Sequence, residues 1–310
     1  MKDEIKKLKK EKDAIILAHY YVDGEVQDIA DFVGDSLELS RKASQASAKI
    51  IVFAGVHFMA ETAKILSPDK KILIPDINSG CPLADSMPLD KFKVFKQKYH
   101  DYFVINYVNS TAEIKAMSDL ICTSSNAVEL VKTLPSETKI LFGPDRNLGR
   151  YVKSFVDNEM IIWDGFCPIH EEFSGEKLLK LKKQYPEAIV LAHPEANKDV
   201  LLHSDIIGST SKILKTSIEN SNKQFIIATE PGIIHMLKKK SPTNQYIPLP
   251  PISDNSLSIC HDMKKHTLEN LRDALKYEQY EIIMDDDLIE KAIKPISRMI
   301  NISLKLKLIK

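Results

Sequence analysis

The chain has 310 residues, 44% of them apolar and 28% charged, which is room for more than one domain with a buried core and ordinary for a globular protein. Its 43 basic and 43 acidic residues cancel, which argues against the electrostatic footprint of a nucleic-acid or anionic-membrane binder. No stretch approaches the ~18 apolar residues of a membrane span, the charged start of the chain lacks a signal-peptide core, and four widely spaced cysteines do not form a disulfide framework, so a cytoplasmic protein with reduced thiols is expected.

In chain order, Met1–Asp13 interleaves lysines with acids and predicts a solvated helix with Ile5 and Leu8 turned inward. Ala14–His19, Asp31–Val33, Lys49–Ala54 and Lys71–Pro75 then predict four strands, with helices over Glu25–Ala30, Leu37–Ser47 and His57–Leu66 between them. The same order follows twice more. Strands are predicted at Phe103–Val108, Asp119–Cys122, Lys139–Phe142 and Met160–Trp163, then at Ala188–Ala192, Asp205–Ile207, Gln224–Ala228 and Tyr246–Leu249. These are Ile/Val/Leu runs without polar alternation, as parallel strands buried on both faces require. After Cys260, His261–Tyr277 and Asp287–Leu304 predict two helices that clasp the preceding units. The fold class is therefore α/β: three homologous three-layer α/β/α domains with parallel four-stranded sheets, in a pseudo-threefold arrangement around a central active site. The expected divisions are residues 1–82, 83–168 and 169–260 for the three units and 261–310 for a helical extension.

The three units are repeats. Asp31-Phe-Val-Gly-Asp-Ser36, Asp119-Leu-Ile-Cys-Thr-Ser124 and Asp205-Ile-Ile-Gly-Ser-Thr210 recur at spacings of 88 and 86 residues. The strand-end triplets His19-Tyr-Tyr21, Tyr107-Val-Asn109 and His193-Pro-Glu195 keep the same two spacings. Each unit closes on a cysteine: Cys81, Cys167 and Cys260, the first two followed by proline. One such thiol alone is more often an ordinary buried residue. Three in register on homologous units can converge on one metal, and three soft ligands with one position open suit catalytic zinc or a cubane [4Fe–4S] cluster. Cys122 lies inside an apolar strand and is expected in the core.

In open parallel sheets, ligands sit beyond the carboxyl ends of strands. The triplets and the pairs Asp35-Ser36, Thr123-Ser124 and Ser209-Thr210 all follow strand ends. The pairs suit helix N-caps, whose free N–H groups also favour carboxylate or phosphate. Among the triplets Glu195 is the natural general base, Tyr21 a proton donor or polariser, and His19 and His193 recur at one repeat position. His170, three residues past Cys167, either reaches the metal or caps a helix.

These residues, together with Cys122-Thr-Ser-Ser-Asn126, Phe142-Gly-Pro-Asp145, Gly208-Ser-Thr210 and Phe53-Ala-Gly-Val-His-Phe-Met-Ala-Glu-Thr-Ala63, resemble the quinolinate synthase family over essentially the whole chain. The resemblance implies an enzyme of de novo NAD biosynthesis that condenses iminosuccinate with dihydroxyacetone phosphate to quinolinate, phosphate and water. It implies one [4Fe–4S] cluster on Cys81, Cys167 and Cys260. It implies a substrate site of His19, Ser36, Tyr107, Asn109, Ser124, His193, Glu195 and Thr210, with Val108 and Pro194 inside the contacting triplets; the chemistry of the strand-end residues adds Glu195, Tyr21 and His193 as the expected catalytic groups. A transient partner that produces iminosuccinate, an L-aspartate oxidase, is also implied. Two other readings remain: another cluster-dependent hydro-lyase or aldolase on the same fold, and a cluster-based sensor, which would need a basic DNA-reading helix that the sequence does not show.

Overall fold

The computed structural model describes residues 1–254 and 256–309. Asn255, in the third expected unit, and Lys310, at the end of the expected extension, lie outside the described residues. The first unit has strands β1 (Ala14–His19), β2 (Phe32–Gly34), β3 (Ile50–Ala54) and β4 (Lys71–Leu73). The second has β5 (Phe103–Tyr107), β6 (Leu120–Cys122), β7 (Ile140–Gly143) and β8 (Met160–Ile162). The third has β9 (Ile189–Ala192), β10 (Ile206–Ile207), β11 (Gln224–Ala228) and β12 (Gln245–Pro248).

All three sheets share one strand order, β2-β1-β3-β4, β6-β5-β7-β8 and β10-β9-β11-β12, and every pairing within them is parallel. The apolar strand runs explain this, because helices cover both faces of each sheet and Ile50–Ala54 and Ile140–Gly143 are buried throughout. In this order the chain leaves the first strand toward one edge and the third toward the other. A crevice therefore opens at the carboxyl ends of these two central strands.

The repeated aspartate is architectural. Asp31, Asp119 and Asp205 each accept a hydrogen bond from a backbone N–H of the first strand of their own unit, from Ile16 at 2.7 Å, Val104 at 2.8 Å and Val190 at 2.8 Å. Their own N–H groups donate to the carbonyls of those same residues. The carboxylate thus satisfies a strand-start donor that the short second strand does not reach.

Two expectations are corrected. Residues His261–Tyr277 do not form one helix: a 3-10 turn spans Met263–Lys265 and the α-helix covers only Leu268–Tyr277. The break comes from Thr267, whose hydroxyl accepts the Asn270 N–H as an N-cap and so fixes the helix start. The second helix, Asp286–Lys305, packs mainly on the helix Ala112–Ala116 and β6 of the second unit and on the helix His57–Leu66 of the first. Leu268–Tyr277 packs on Lys2–Glu11 and β3. The extension therefore clasps chiefly the first two units. Between its helices, Tyr280 exchanges two backbone hydrogen bonds with Ile74, the Ile282 N–H donates to the Ile72 carbonyl, and this segment covers the β4 edge of the first sheet. Among the described residues no helix is long and apolar enough to cross a membrane.

Candidate active site

The carboxyl ends of the central strands meet in one cavity of about 200 Å³. That exceeds the roughly 150 Å³ of an apolar cavity able to admit benzene. Cys81, Cys167 and Cys260 all line it. So do the strand-end groups His19, Tyr21, Tyr107, Asn109, His193 and Glu195, the helix-start residues Ser36 and Thr210, and the loop residue Ser124. Val108 and Pro194 do not reach the wall; both are buried, and the Val108 N–H donates to the Cys122 carbonyl. Cys122 is fully buried in β6 and points into the shared apolar core.

Local hydrogen bonds fix the two repeated histidines in the same way. The Tyr21 N–H donates to His19 Nδ1 at 3.2 Å, and the Glu195 N–H donates to His193 Nδ1 at 3.4 Å. With Nδ1 accepting, the neutral ring carries its proton on Nε2. His193 Nε2 lies 3.1 Å from the Ser124 hydroxyl. Burial first, then the nearby His193, brings His19 down to about 3, and burial likewise brings His193 down to about 4, so both rings are neutral donors near pH 7.

Glu195 is 3% exposed, and Tyr107 donates to its Oε1 at 2.6 Å. Its Oε2 lies 3.0 Å from His170 Nδ1. Burial pushes this carboxyl up, but the imidazoles of His193 and His170 beside it and the bonds from His170 and Tyr107 outweigh it, so Glu195 is held below its ordinary value and stays ionised. His170 Nε2 is 2.9 Å from the Thr229 hydroxyl, which is 2.6 Å from the Tyr21 hydroxyl. One assignment satisfies every partner: Tyr21 donates to Thr229, Thr229 to His170 Nε2, and His170 Nδ1–H to Glu195. A continuous buried relay thus joins Tyr21 to Glu195. Burial, then the Glu195 charge, raises both Tyr21 and Tyr107 well above the usual phenol range, so both stay protonated donors.

Sequence reasoning missed Thr229 and left His170 open between two roles. A signal for Thr229 exists: Gly55, Gly143 and Thr229 occupy equivalent positions at the carboxyl end of the third strand of each unit, and only the third unit places a hydroxyl there. The three Ser/Thr pairs are also less alike than expected. Asp35 and Ser209 are N-caps, of Ser36–Gln45 and Thr210–Glu219, leaving Ser36 and Thr210 as the first helical residues on the cavity. In the second unit the helix starts at Ala127 after Asn126, and the Asn126 side chain folds back to accept the Thr123 N–H at 2.6 Å. Asp35 also lines the cavity, and burial, then Glu38, raises it to about 6. The first unit's helix terminus is therefore partly neutralised by its own cap, whereas the third unit's, capped by Ser209, is not.

The donor set suits a cationic inorganic group. Burial raises all three cavity thiols, Cys260 to about 11 and Cys81 and Cys167 further. Charge on neighbouring thiols adds to the rise in Cys81 and Cys167, and Glu195 adds to it as well. Three thiolates and a carboxylate around one space are unfavourable unless positive charge sits among them. Among the described residues, the trio of donor atoms within 4.8 Å of one another is Cys167, His170 and Glu195; the three sulfurs do not meet that spacing. His170 Nδ1 is 3.2 Å from Cys167 Sγ, so the thiol wall and the relay touch.

The family model described as "Quinolinate synthetase A protein" matches residues 3–301. A protein of Rippkaea orientalis named quinolinate synthase is 53% identical over 299 residues, 96% of this chain and 92% of that protein. Proteins of the same name from Synechocystis and Prosthecochloris aestuarii are 53% and 50% identical, covering 96% and 97% of this chain and 94% of each relative. Identity at that level over nearly the full length of each, on a fold whose cavity gathers the repeat residues, shows that the chain is an enzyme belonging to the quinolinate synthetase A family.

Proposed function

We propose that the chain condenses iminosuccinate with dihydroxyacetone phosphate to give quinolinate, phosphate and water in NAD biosynthesis, in the reducing cytoplasm and with iminosuccinate supplied by an L-aspartate oxidase. The observation that carries this reading is the opening of three in-register thiols and an ionised, relay-linked Glu195 into one cavity. Cys81, Cys167 and Cys260 would hold a [4Fe–4S] cluster. A lone zinc with thiolates at 2.3 Å needs sulfurs only about 3.8 Å apart, and the three sulfurs are not all within 4.8 Å of one another. When bound, such a cluster supplies a Lewis-acidic iron with one open position.

The chain's own residues do the rest. The Thr210 helix terminus, free of a charged cap, is the better seat for the phosphate, and Ser36 is the weaker one. The Nε2–H groups of His19 and His193 donate to substrate oxygens. Glu195 takes a proton from the carbon that forms the new bond, while the Tyr21 hydroxyl, turned from Thr229 to the substrate, gives its proton to a departing oxygen. The Thr229–His170 chain, whose hydrogens point toward Glu195, holds that carboxylate in place, and exchange with solvent after product release resets both groups.

A mononuclear metal on Cys167, His170 and Glu195 is the second reading, favoured by their close donor atoms. It would break the bond between His170 and Glu195. Anaerobic reconstitution followed by iron, sulfide and zinc counts decides between them, and incubation with both substrates tests the reaction. About four irons and four sulfides per chain with quinolinate formed support the proposal. One zinc and no sulfide support the second reading, and a cluster without quinolinate points to a different hydro-lyase or aldolase.

A further inference from the structure

The third thiol has no strand end beneath it. Cys260 lies between the end of β12 and the turn Met263–Lys265, and residues 258–262 belong to no helix or strand. Its neighbours are nevertheless bonded to the other two cysteine loops, one on each side. Two residues before it, the buried Ser258 hydroxyl donates to the Ile169 carbonyl at 2.8 Å, two residues past Cys167. Two residues after it, Asp262 Oδ1 accepts the Gly80 N–H at 3.2 Å, the residue just before Cys81. The Asp262 carbonyl also accepts the Ser79 hydroxyl at 2.9 Å, and His266 Nε2 lies 2.9 Å from that same hydroxyl oxygen. Ser79 and His266 are both fully buried. Lys265 holds the Asp262 carboxylate in place at 2.7 Å.

We propose that Ser258 and Asp262, supported by His266, are positioning residues that staple the Cys260 segment to the Cys167 and Cys81 loops and set the three thiols relative to one another before any metal arrives. The inference rests on reading these thiols as the ligand trio. The physical need is plain. Three half-buried thiols that must all ionise repel one another, and their loops gain nothing from proximity until a cation joins them. The staple bonds run between backbone groups and side chains that are not ligands, so they hold without it.

Two measurements on the full chain test this. In metal-free protein, the alkylation rate of each cysteine is read by mass spectrometry. Asp262→Ala should speed Cys81 and Cys260 together, and Ser258→Ala should speed Cys260 and Cys167 while sparing Cys81. Each rise should be roughly 3- to 10-fold, the population shift expected from losing one or two buried hydrogen bonds. Asp262→Asn keeps the acceptor for Gly80 and should stay within about twofold of the parent. In reconstituted protein, iron release to a chelator should accelerate in the same variants, with the Asn variant again near the parent. Unchanged labelling in both Ala variants overturns the proposal, as does a rise that includes buried Cys122, which reports general loosening. Equal behaviour of Asp262→Ala and Asp262→Asn also overturns it. A parent that takes up no iron refutes the cluster reading alone, because the labelling pattern still decides the staple.

Discussion

Removing Cys122 and removing Cys81 should have opposite consequences. Cys122 is fully buried in β6, in parallel register with Tyr107 of β5, and the helix Asp286–Lys305 packs over that strand. Cys122→Ala deletes one sulfur from this core and touches nothing in the cavity. The loss resembles deletion of one buried methyl-sized group, about 0.5–1.5 kcal/mol with the larger value if the small void does not collapse. Cys81→Ala removes a cavity thiol and leaves a two-thiol set. Its fold should survive, because Cys81 is only partly buried and its loop is pinned through Ser79 and Gly80. The assay pairs urea unfolding with iron and sulfide counts after anaerobic reconstitution. Cys122→Ala should lower the midpoint and keep full iron; Cys81→Ala should keep most of its stability and lose the iron. Equal iron loss in the two variants would refute the sorting of the thiols into core and ligand.

Two further predictions test the site and the frame. Tyr107→Phe removes the hydroxyl that donates to Glu195, so turnover should fall about 10- to 100-fold, in line with the roughly 1.5–3 kcal/mol of a hydrogen bond to a charged group, while iron content is retained; steady-state kinetics beside an iron count checks this, and near-parental turnover would remove Tyr107 from the support of Glu195. Hydrogen bonds from Lys12 and Lys71 hold Glu278 down at about 2, below its ordinary value of 4.5. A depressed carboxylate stabilises the fold above its ordinary value and loses that contribution as pH falls toward about 2. Glu278→Gln should therefore be less stable than the parent above pH 5 and indistinguishable near pH 2, a gap that unfolding curves should show shrinking in high salt because the pair is partly exposed.

Much of this enzyme is legible in the residues themselves. The unbroken apolar runs require parallel strands covered on both faces, and the observed Ala14–His19, His57–Leu66 and Gln224–Ala228 match the expected spans. The recurrence of Asp31, Asp119 and Asp205 marks three equivalent units, because each carboxylate performs the same local task of satisfying a strand-start N–H fifteen positions earlier. Such short-range needs leave a periodic trace that a reader can find. Contacts between units leave none. Thr229 joins Tyr21 to His170 only because the third unit faces the first and the second across the cavity. Ser258 and Asp262 likewise reach loops 89 and 182 residues away in sequence. Helix starts lie between these cases: Thr267 displaces one of them because its bond from the Asn270 N–H outweighs a smooth apolar pattern. Local hydrogen bonding and burial thus wrote the sheets and the thiol register into the chain. The proton relay and the loop staple exist only once distant segments pack, since their partners are chosen by proximity in space and carry no spacing rule.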